Sequence, residues 1–209
     1  MALHELRKDA SIEIVALLTT ITTDYDRVSM HGVRTELLER QAESIGLPLE
    51  RVMISVGATN EDYGAAMRVA LEKYQALGVT AVAFGDIFLE DLRRYREEKL
   101  AEVGMTAIFP IWKRDTREMA REFIELGFKA IVTCADTQAD CGRFAGRDFD
   151  EQLLSELPPT ADACFENGEC HSFAYAGPIF RAPITVTRGE IVLRDERFYF
   201  CDLLPNPPT

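Results

Sequence analysis

The first two-thirds of this chain repeats one unit: an apolar run, a stretch with helical spacing of apolar residues, then a glycine. Ile12 to Ile21 is a β-branched apolar run that reads as a buried strand. Val33, Leu37, Leu38 and Ile45 share one face of a helix over 33–45, stopped by Gly46 and Pro48. A short strand at 51–55 leads to Asn60, an N-cap candidate followed by Glu61 and Asp62 in the first turn. Tyr63, Met67, Ala70, Tyr74 and Leu77 recur at helical spacing up to Gly78. There follow a strand over 79–84, a helix over 89–103 closed by Gly104, and a strand over 106–111. Asp115-Thr116-Arg117-Glu118 opens a helix ended by Gly127, and 128–134 is the last strand of the series. Strands alternating with helices of this length require right-handed crossovers. The pattern therefore predicts an α/β fold, a mostly parallel sheet with helices on both faces.

After Ala135 the rhythm breaks. Residues 136–149 are polar, 150–157 is a short helix candidate, and Pro158-Pro159 interrupts it. Strands are expected at 173–175, 184–188, 190–193 and 198–203, with Gly189 marking a turn or bulge. The sequence thus divides into an α/β domain over 1–135, a smaller, β-rich α+β domain over 136–204, and a frayed tail over 205–209.

A length of 209 residues, 47% of them hydrophobic, is enough to bury a substantial core. No apolar run reaches the ~18–20 residues of a membrane helix, and the N-terminus has no secretory h-region. A net charge of −12 argues against a nucleic-acid partner. The densest basic group, Arg93, Arg94, Arg96 and Lys99, alternates with Glu97 and Glu98 as a solvated helix face does. Five cysteines without a C-x-x-C pair point to reduced thiols and a cytoplasmic location. Cys164, Cys170 and His171 match the spacing of no common zinc site, and no metal ligands are assigned.

In open parallel sheets ligands bind beyond the carboxyl ends of the strands. That rule selects the hydroxyls of 19–23, with Thr20 as a contact, and the stretch Ser29 to Arg34, where His31, Gly32 and Arg34 precede a helix N-terminus. It also selects 57–60 and the Gly85-Asp86 pair, where the glycine permits close backbone approach. Asp86 could accept a ribose hydroxyl, bind a metal or cap a helix, and His31 could equally be a packing histidine. Downstream, Glu166-Asn167-Gly168-Glu169-Cys170-His171 packs two carboxylates, an amide and an imidazole around one glycine. Such a turn can hold an amine, a cation or a transferable proton, or can simply be a solvated acidic loop. Neither G-x-G-x-x-G after a strand, nor a Walker phosphate loop, nor G-x-S-x-G is present.

His31-Gly32-Val33-Arg34, Phe84-Gly85-Asp86-Ile87-Phe88-Leu89-Glu90-Asp91, Phe109-Pro110-Ile111-Trp112, the Glu166 to Phe173 run and Gly177-Pro178-Ile179-Phe180 occur in this order. Together they resemble the diphthine–ammonia ligase family, a branch of the PP-loop ATP pyrophosphatases with a Rossmann-like, adenine nucleotide alpha-hydrolase-like fold. The resemblance runs from about Ala2 to Leu204 and looks closest to the bacterial members. It implies a ligase for which ATP and Mg2+ are needed. A carboxylate, small or protein-borne, is adenylated, and ammonia attacks the acyl-adenylate. In that scheme Thr20, His31, Gly32, Arg34, Gly85 and Asp86 would contact the nucleotide. Glu166, Glu169 and His171 would be catalytic, and Asn167 and Gly168 would meet the acceptor substrate or ammonia.

The chain departs from the family at its start. The family opens with a strand and a Ser-Gly-Gly-Lys-Asp-Ser loop whose amides and lysine cradle phosphates. Met1 to Leu6 instead looks like the middle of the helix after that loop. The expectation is a PP-loop protein without its first strand and PP-loop, whether through a start site placed late or a true truncation. Edges left open by a lost strand would invite a homodimer. The functional expectations are an amide ligase inactive in this form, or a non-catalytic adenine-nucleotide-binding or regulatory remnant. A tRNA-modifying PP-loop enzyme fits the charge less well.

Overall fold

A computed structural model describes residues 1–206. In chain order its elements are α1 (Ala2–Leu6), β1 (Leu17–Thr22), β2 (Arg27–Val28), α2 (Thr35–Ile45), β3 (Leu49–Ile54), α3 (Asn60–Ala76), β4 (Ala81–Ala83), α4 (Glu90–Ala101) and β5 (Thr106–Ile108). They continue with α5 (Thr116–Glu125), β6 (Lys129–Asp136), α6 (Glu151–Glu156), β7 (Cys170–Ala176), β8 (Val186–Arg194) and β9 (Phe198–Pro205). Contacts group these into two compact units: unit 1 is Met1–Asp24 with Leu47–Arg114, and unit 2 is Tyr25–Gly46 with Asp115–Thr209.

Unit 1 is the α/β part. β1 pairs parallel with β3 over six residues, and β4 pairs parallel with β5 over three. The helix over Asn60–Ala76 crosses from β3 to β4. Its N-cap is Thr59 rather than Asn60: the Thr59 hydroxyl accepts from the Asp62 N–H and the Asp62 carboxylate accepts from the Thr59 N–H. That reciprocal box satisfies two donors, which a cap at Asn60 would leave open. The core here is small: Leu71, Leu100 and Met105, with Val79, Val82, Phe84, Val103 and Ala107 packed against them. The first strand begins at Leu17, not Ile12, so 12–16 run as irregular chain.

Unit 2 is built on a four-stranded antiparallel sheet in the order β7-β6-β9-β8. This corrects the sequence expectation for 128–134, which was the closing strand of the parallel series. Every residue of β6 after Lys129 is buried. A strand covered on both faces reads as an unbroken apolar run whichever way its neighbours point, so the pattern alone leaves direction open. The boundary expected after Ala135 is therefore replaced by a crossing at Arg114–Asp115, and the C-terminal part is larger than an appendage.

The helix over Thr35–Ile45 joins unit 2 because Val33 and Leu37 enter a cluster with Ile131, Phe173, Ile184, Cys201 and Leu203. Gly46 closes that helix at φ +79°, and its N–H donates to the carbonyls of Ala42 and Glu43. A second cluster packs Val132, Ala135, Cys141, Phe144, Leu153 and Phe165. Gly189 marks an irregularity in the β8–β9 ladder, between Arg188 and Ile191, as the sequence suggested. The tail is ordered further than expected: Pro205 pairs with Val186, and the Asn206 N–H donates to the Thr185 carbonyl. The remainder of the tail expectation, 207–209, lies outside the described residues.

Leu37 has no exposed surface, so Leu37→Ala should cost about 2–5 kcal/mol through lost burial and a cavity. Urea unfolding of the variant should show the midpoint falling at unchanged slope.

Candidate functional site

The acidic turn before β7 is constructed almost entirely from its own residues. The Glu169 carboxylate is buried and accepts from the Asp162 N–H at 2.8 Å, the Asn167 N–H at 3.1 Å and the Asn167 side-chain amide at 3.0 Å. A second carboxylate, Asp162, accepts from the N–H groups of Cys164 and Glu166 at 2.9 and 3.0 Å. Phe165 sits between them in the left-handed region at φ +62°, with its side chain buried edge-on to Phe149. That backbone is unfavourable for a bulky residue, and the ring's burial together with the two carboxylates holds it. Glu169 therefore positions the turn, and its oxygens are already in use. Asn167 is exposed, and Gly168 has φ +85°. The Asp162 contribution has no counterpart in the sequence reading. Its signal was an Asp four residues before Glu166, at the spacing of a side chain that caps the amides after it.

His171, the second residue of β7, lies against His31: the ring centroids are 4.4 Å apart with 39° between planes. The structure thus unites the two histidines that the sequence placed 140 positions apart. His31 tops a tight loop in which the Val28 N–H donates to Val33 O and the Gly32 N–H to Val28 O. Its Nδ1 lies 3.0 Å from the Ser29 carbonyl, which can only accept, so that nitrogen carries the proton. Gly32 has φ +69°, and a β-carbon there would fall 2.8 Å from the Phe200 ring. Burial, helped by repulsion from His31, pushes the His171 imidazole down to about 4. At neutral pH its ring is uncharged.

The loop is tied to β9 by one carboxylate. Asp202 accepts from Arg34 Nε at 3.0 Å and Nη2 at 2.6 Å, and from Arg27 Nη1 at 2.9 Å. Arg27 also donates to the Gly32 carbonyl at 2.7 Å. The Arg34 fork, followed by Arg27, holds the Asp202 carboxyl below the ordinary range. Arg34, which the sequence offered as an anion contact, is thus engaged within the protein, and neither Asp202 nor Arg27 was singled out beforehand.

In unit 1, Thr20 lies in β1 opposite Val52. Gly85 follows β4 with the Ala2 side chain 3.9 Å from the position of a β-carbon. Asp86 is buried. It caps no helix; its Oδ2 lies 2.9 Å from Arg96 Nε, off line for a hydrogen bond, and its Oδ1 accepts from Arg96 Nη2 at 3.2 Å. The Arg96 guanidinium lies over the Phe84 ring, which stacks on Phe109 at 5.6 Å. Arg93 covers both Phe109 and Trp112. The loops beyond β4 and β5 are therefore held by stacked rings and guanidinium groups.

Among the described residues no group of three or more His, Cys, Asp or Glu could hold a metal, and no helix is long and apolar enough to cross a membrane. Cys134 is pushed up to about 12 and Cys170 higher by burial, so both stay protonated.

Comparison with known proteins matches residues 1–107 to the diphthamide synthase N-terminal domain and residues 115–202 to the diphthamide synthase C-terminal domain. The chain belongs to the diphthamide synthase family. The join between the two matches coincides with the crossing at Arg114–Asp115. The human diphthine–ammonia ligase is 26% identical over 188 residues, covering 81% of this chain and 67% of the human protein. The rat protein of that name gives the same figures, and the Schizosaccharomyces pombe one is 24% identical over 200 residues, covering 86% of this chain and 33% of that protein.

Two measurements check this geometry. His171 has its folded value depressed below the ordinary 6.5, so its contribution to stability is present above about pH 6.5 and is lost as pH falls toward 4. Relative to His171→Gln, the native protein should lose about 1–3 kcal/mol across that window in urea titrations. Asp202→Asn should weaken the Arg27–Arg34 clamp and cost about 1–2 kcal/mol, read as a lower thermal midpoint.

Proposed function

We propose that this chain is an ATP-dependent carboxylate–ammonia ligase of the diphthine–ammonia ligase type. The observation that carries the reading is the in-order match of both family domains across both units, with relatives that bear that name. In the reaction a carboxylate oxygen attacks the α-phosphorus of ATP and pyrophosphate departs. Ammonia then adds to the acyl carbon, loses a proton, and expels AMP to leave an amide.

Within unit 1 we assign Thr20, Gly85 and Asp86 to the nucleotide. Asp86 is already rigid through Arg96, which suits a residue that orients a ribose hydroxyl. Within unit 2 we assign Glu166, Asn167 and Gly168 to the acceptor or to ammonia, and His171 to orienting them. An imidazole held near 4 is a weak base at neutral pH but a steady neutral hydrogen-bonding group. Glu169 acts through the turn it closes. Magnesium would enter with the nucleotide phosphates, since no described cluster is built to cage it.

The finer parts of the reading are that the fold is of the adenine nucleotide alpha-hydrolase type, and that residues 1–209 contain no glycine-rich, lysine-bearing phosphate loop. With that loop absent, the chain binds AMP weakly and does not turn over ATP. A second reading, a non-catalytic nucleotide-binding remnant, is favoured by the engagement of Glu169 and Arg34 with the protein's own groups.

Thermal-shift titration tests this directly, because only a ligand of the native state raises the midpoint. Millimolar AMP should raise it, and pyrophosphate release from ATP should stay at the blank. Pyrophosphate release by this chain would overturn the inactive reading, and absence of any shift with either nucleotide would overturn nucleotide binding. A form extended by a Gly-rich, lysine-bearing loop should release pyrophosphate if the ligase reading holds and should not if the remnant reading does.

A further inference from the structure

β8 ends the unit 2 sheet on one side, and among the described residues β9 is the strand that pairs with it. The Arg197 N–H donates to Arg194 O inside the β8–β9 hairpin, so the Arg194 peptide groups turn toward β9. By the alternation of an antiparallel strand those of Val192 do the same, while those of Ile191 and Leu193 turn outward. The side chains of these two residues stand free as well, 50% and 46% exposed. An apolar pair therefore accompanies the open main-chain groups. Glu190 and Arg194 flank it; both are exposed, and neither makes an ion pair among the described residues.

Charges on an open edge ordinarily keep other strands away. Here their spacing does the opposite in one register. Two copies related by a two-fold axis pair antiparallel, and outward peptide groups must meet outward peptide groups. Centred on Val192, such a pairing sets Ile191 against Leu193 and Glu190 against Arg194, each contact occurring on both sides of the axis. Moving the centre to Ile191 opposes Arg188 to Arg194, and moving it to Leu193 opposes Glu190 to Glu196. A centre at Glu190 or at Arg194 sets that charge against itself. Val192 is thus the centre within 190–194 that joins opposite charges and no like ones. The irregularity between Arg188 and Ile191 bends the strand and confines the pairing to this arm.

We propose that β8 is a self-complementary edge through which two copies of this chain join, centred on Val192, into one continuous antiparallel sheet. Ile191 and Leu193 exchange main-chain hydrogen bonds with Leu193 and Ile191 of the second copy, which supplies the affinity. The Glu190–Arg194 contacts choose the register. So short an interface gives weak, micromolar association in exchange with the monomer. It uses unit 2 alone and no residue assigned to the nucleotide or the acceptor, so it stands apart from the catalytic reading.

Sedimentation velocity of the full chain from low micromolar to submillimolar concentration tests the edge. The native chain should pass from monomer to dimer. Glu190→Arg and Arg194→Glu, each setting like charges opposite one another, should each weaken the dimer at least about tenfold. The two substitutions together should restore it to within about threefold of the native chain, because the pairs are exchanged and not lost. Amide exchange gives a second readout on the unaltered chain: protection of Ile191 and Leu193 should grow with concentration, while Val192, already bonded to β9, stays constant. A native chain that remains monomeric throughout overturns the proposal. So does a dimer indifferent to the single substitutions, a double variant that stays monomeric, or concentration-dependent protection that spares Ile191 and Leu193.

Discussion

A peptide group withdrawn from water must find a partner, and unit 2 is arranged around the one strand that meets this demand on both edges. β6 is buried on both faces, with β7 on one side and β9 on the other. Leaving its groups unpaired would cost on the order of 1–3 kcal/mol each. That requirement fixes the start of β7, and so the place of His171. It also fixes β9, whose Asp202 gathers Arg27 and Arg34 and sets the loop carrying His31. The two histidines meet because two neighbours of β6 are anchored to it.

The acidic turn obeys the same demand by different means. No strand reaches the amides of 162–167, and two side-chain carboxylates accept from them instead. Charge-assisted bonds of this kind are stronger than neutral ones and tolerate the left-handed Phe165. The result is a rigid platform on which Glu166 and Asn167 are presented, with Glu169 beneath as its support. Unit 1 is the contrast: its core is small, and among the described residues β4 pairs with β5 alone.

The strand–helix alternation was legible because apolar periodicity and glycine stops are local signals, and Gly46, Asp115 and Gly189 stood where they were expected. Thr59 displaced Asn60 as a cap because the reciprocal bond with Asp62 depends on geometry that composition does not reveal. The direction of β6 was illegible because full burial erases the alternation that would mark its faces. At the site, His31 and His171 could be nominated separately, yet their contact depends on the sheet order β7-β6-β9. Asp202 and Arg27 went unnoticed for the same reason, each being meaningful only beside a residue more than 160 positions away.

The same buried strand carries a hazard. Ala130 to Ala135 is a run of six small, β-branched and sulfur-bearing residues without charge or proline, the composition of an adhesive segment. Lys129 and Asp136 bracket it, and opposite charges in those places discourage stacking of unfolded copies. During synthesis the run emerges before β7 and β9, its eventual neighbours, have been made. Until they arrive, those two flanking charges are its adjoining safeguard against self-association.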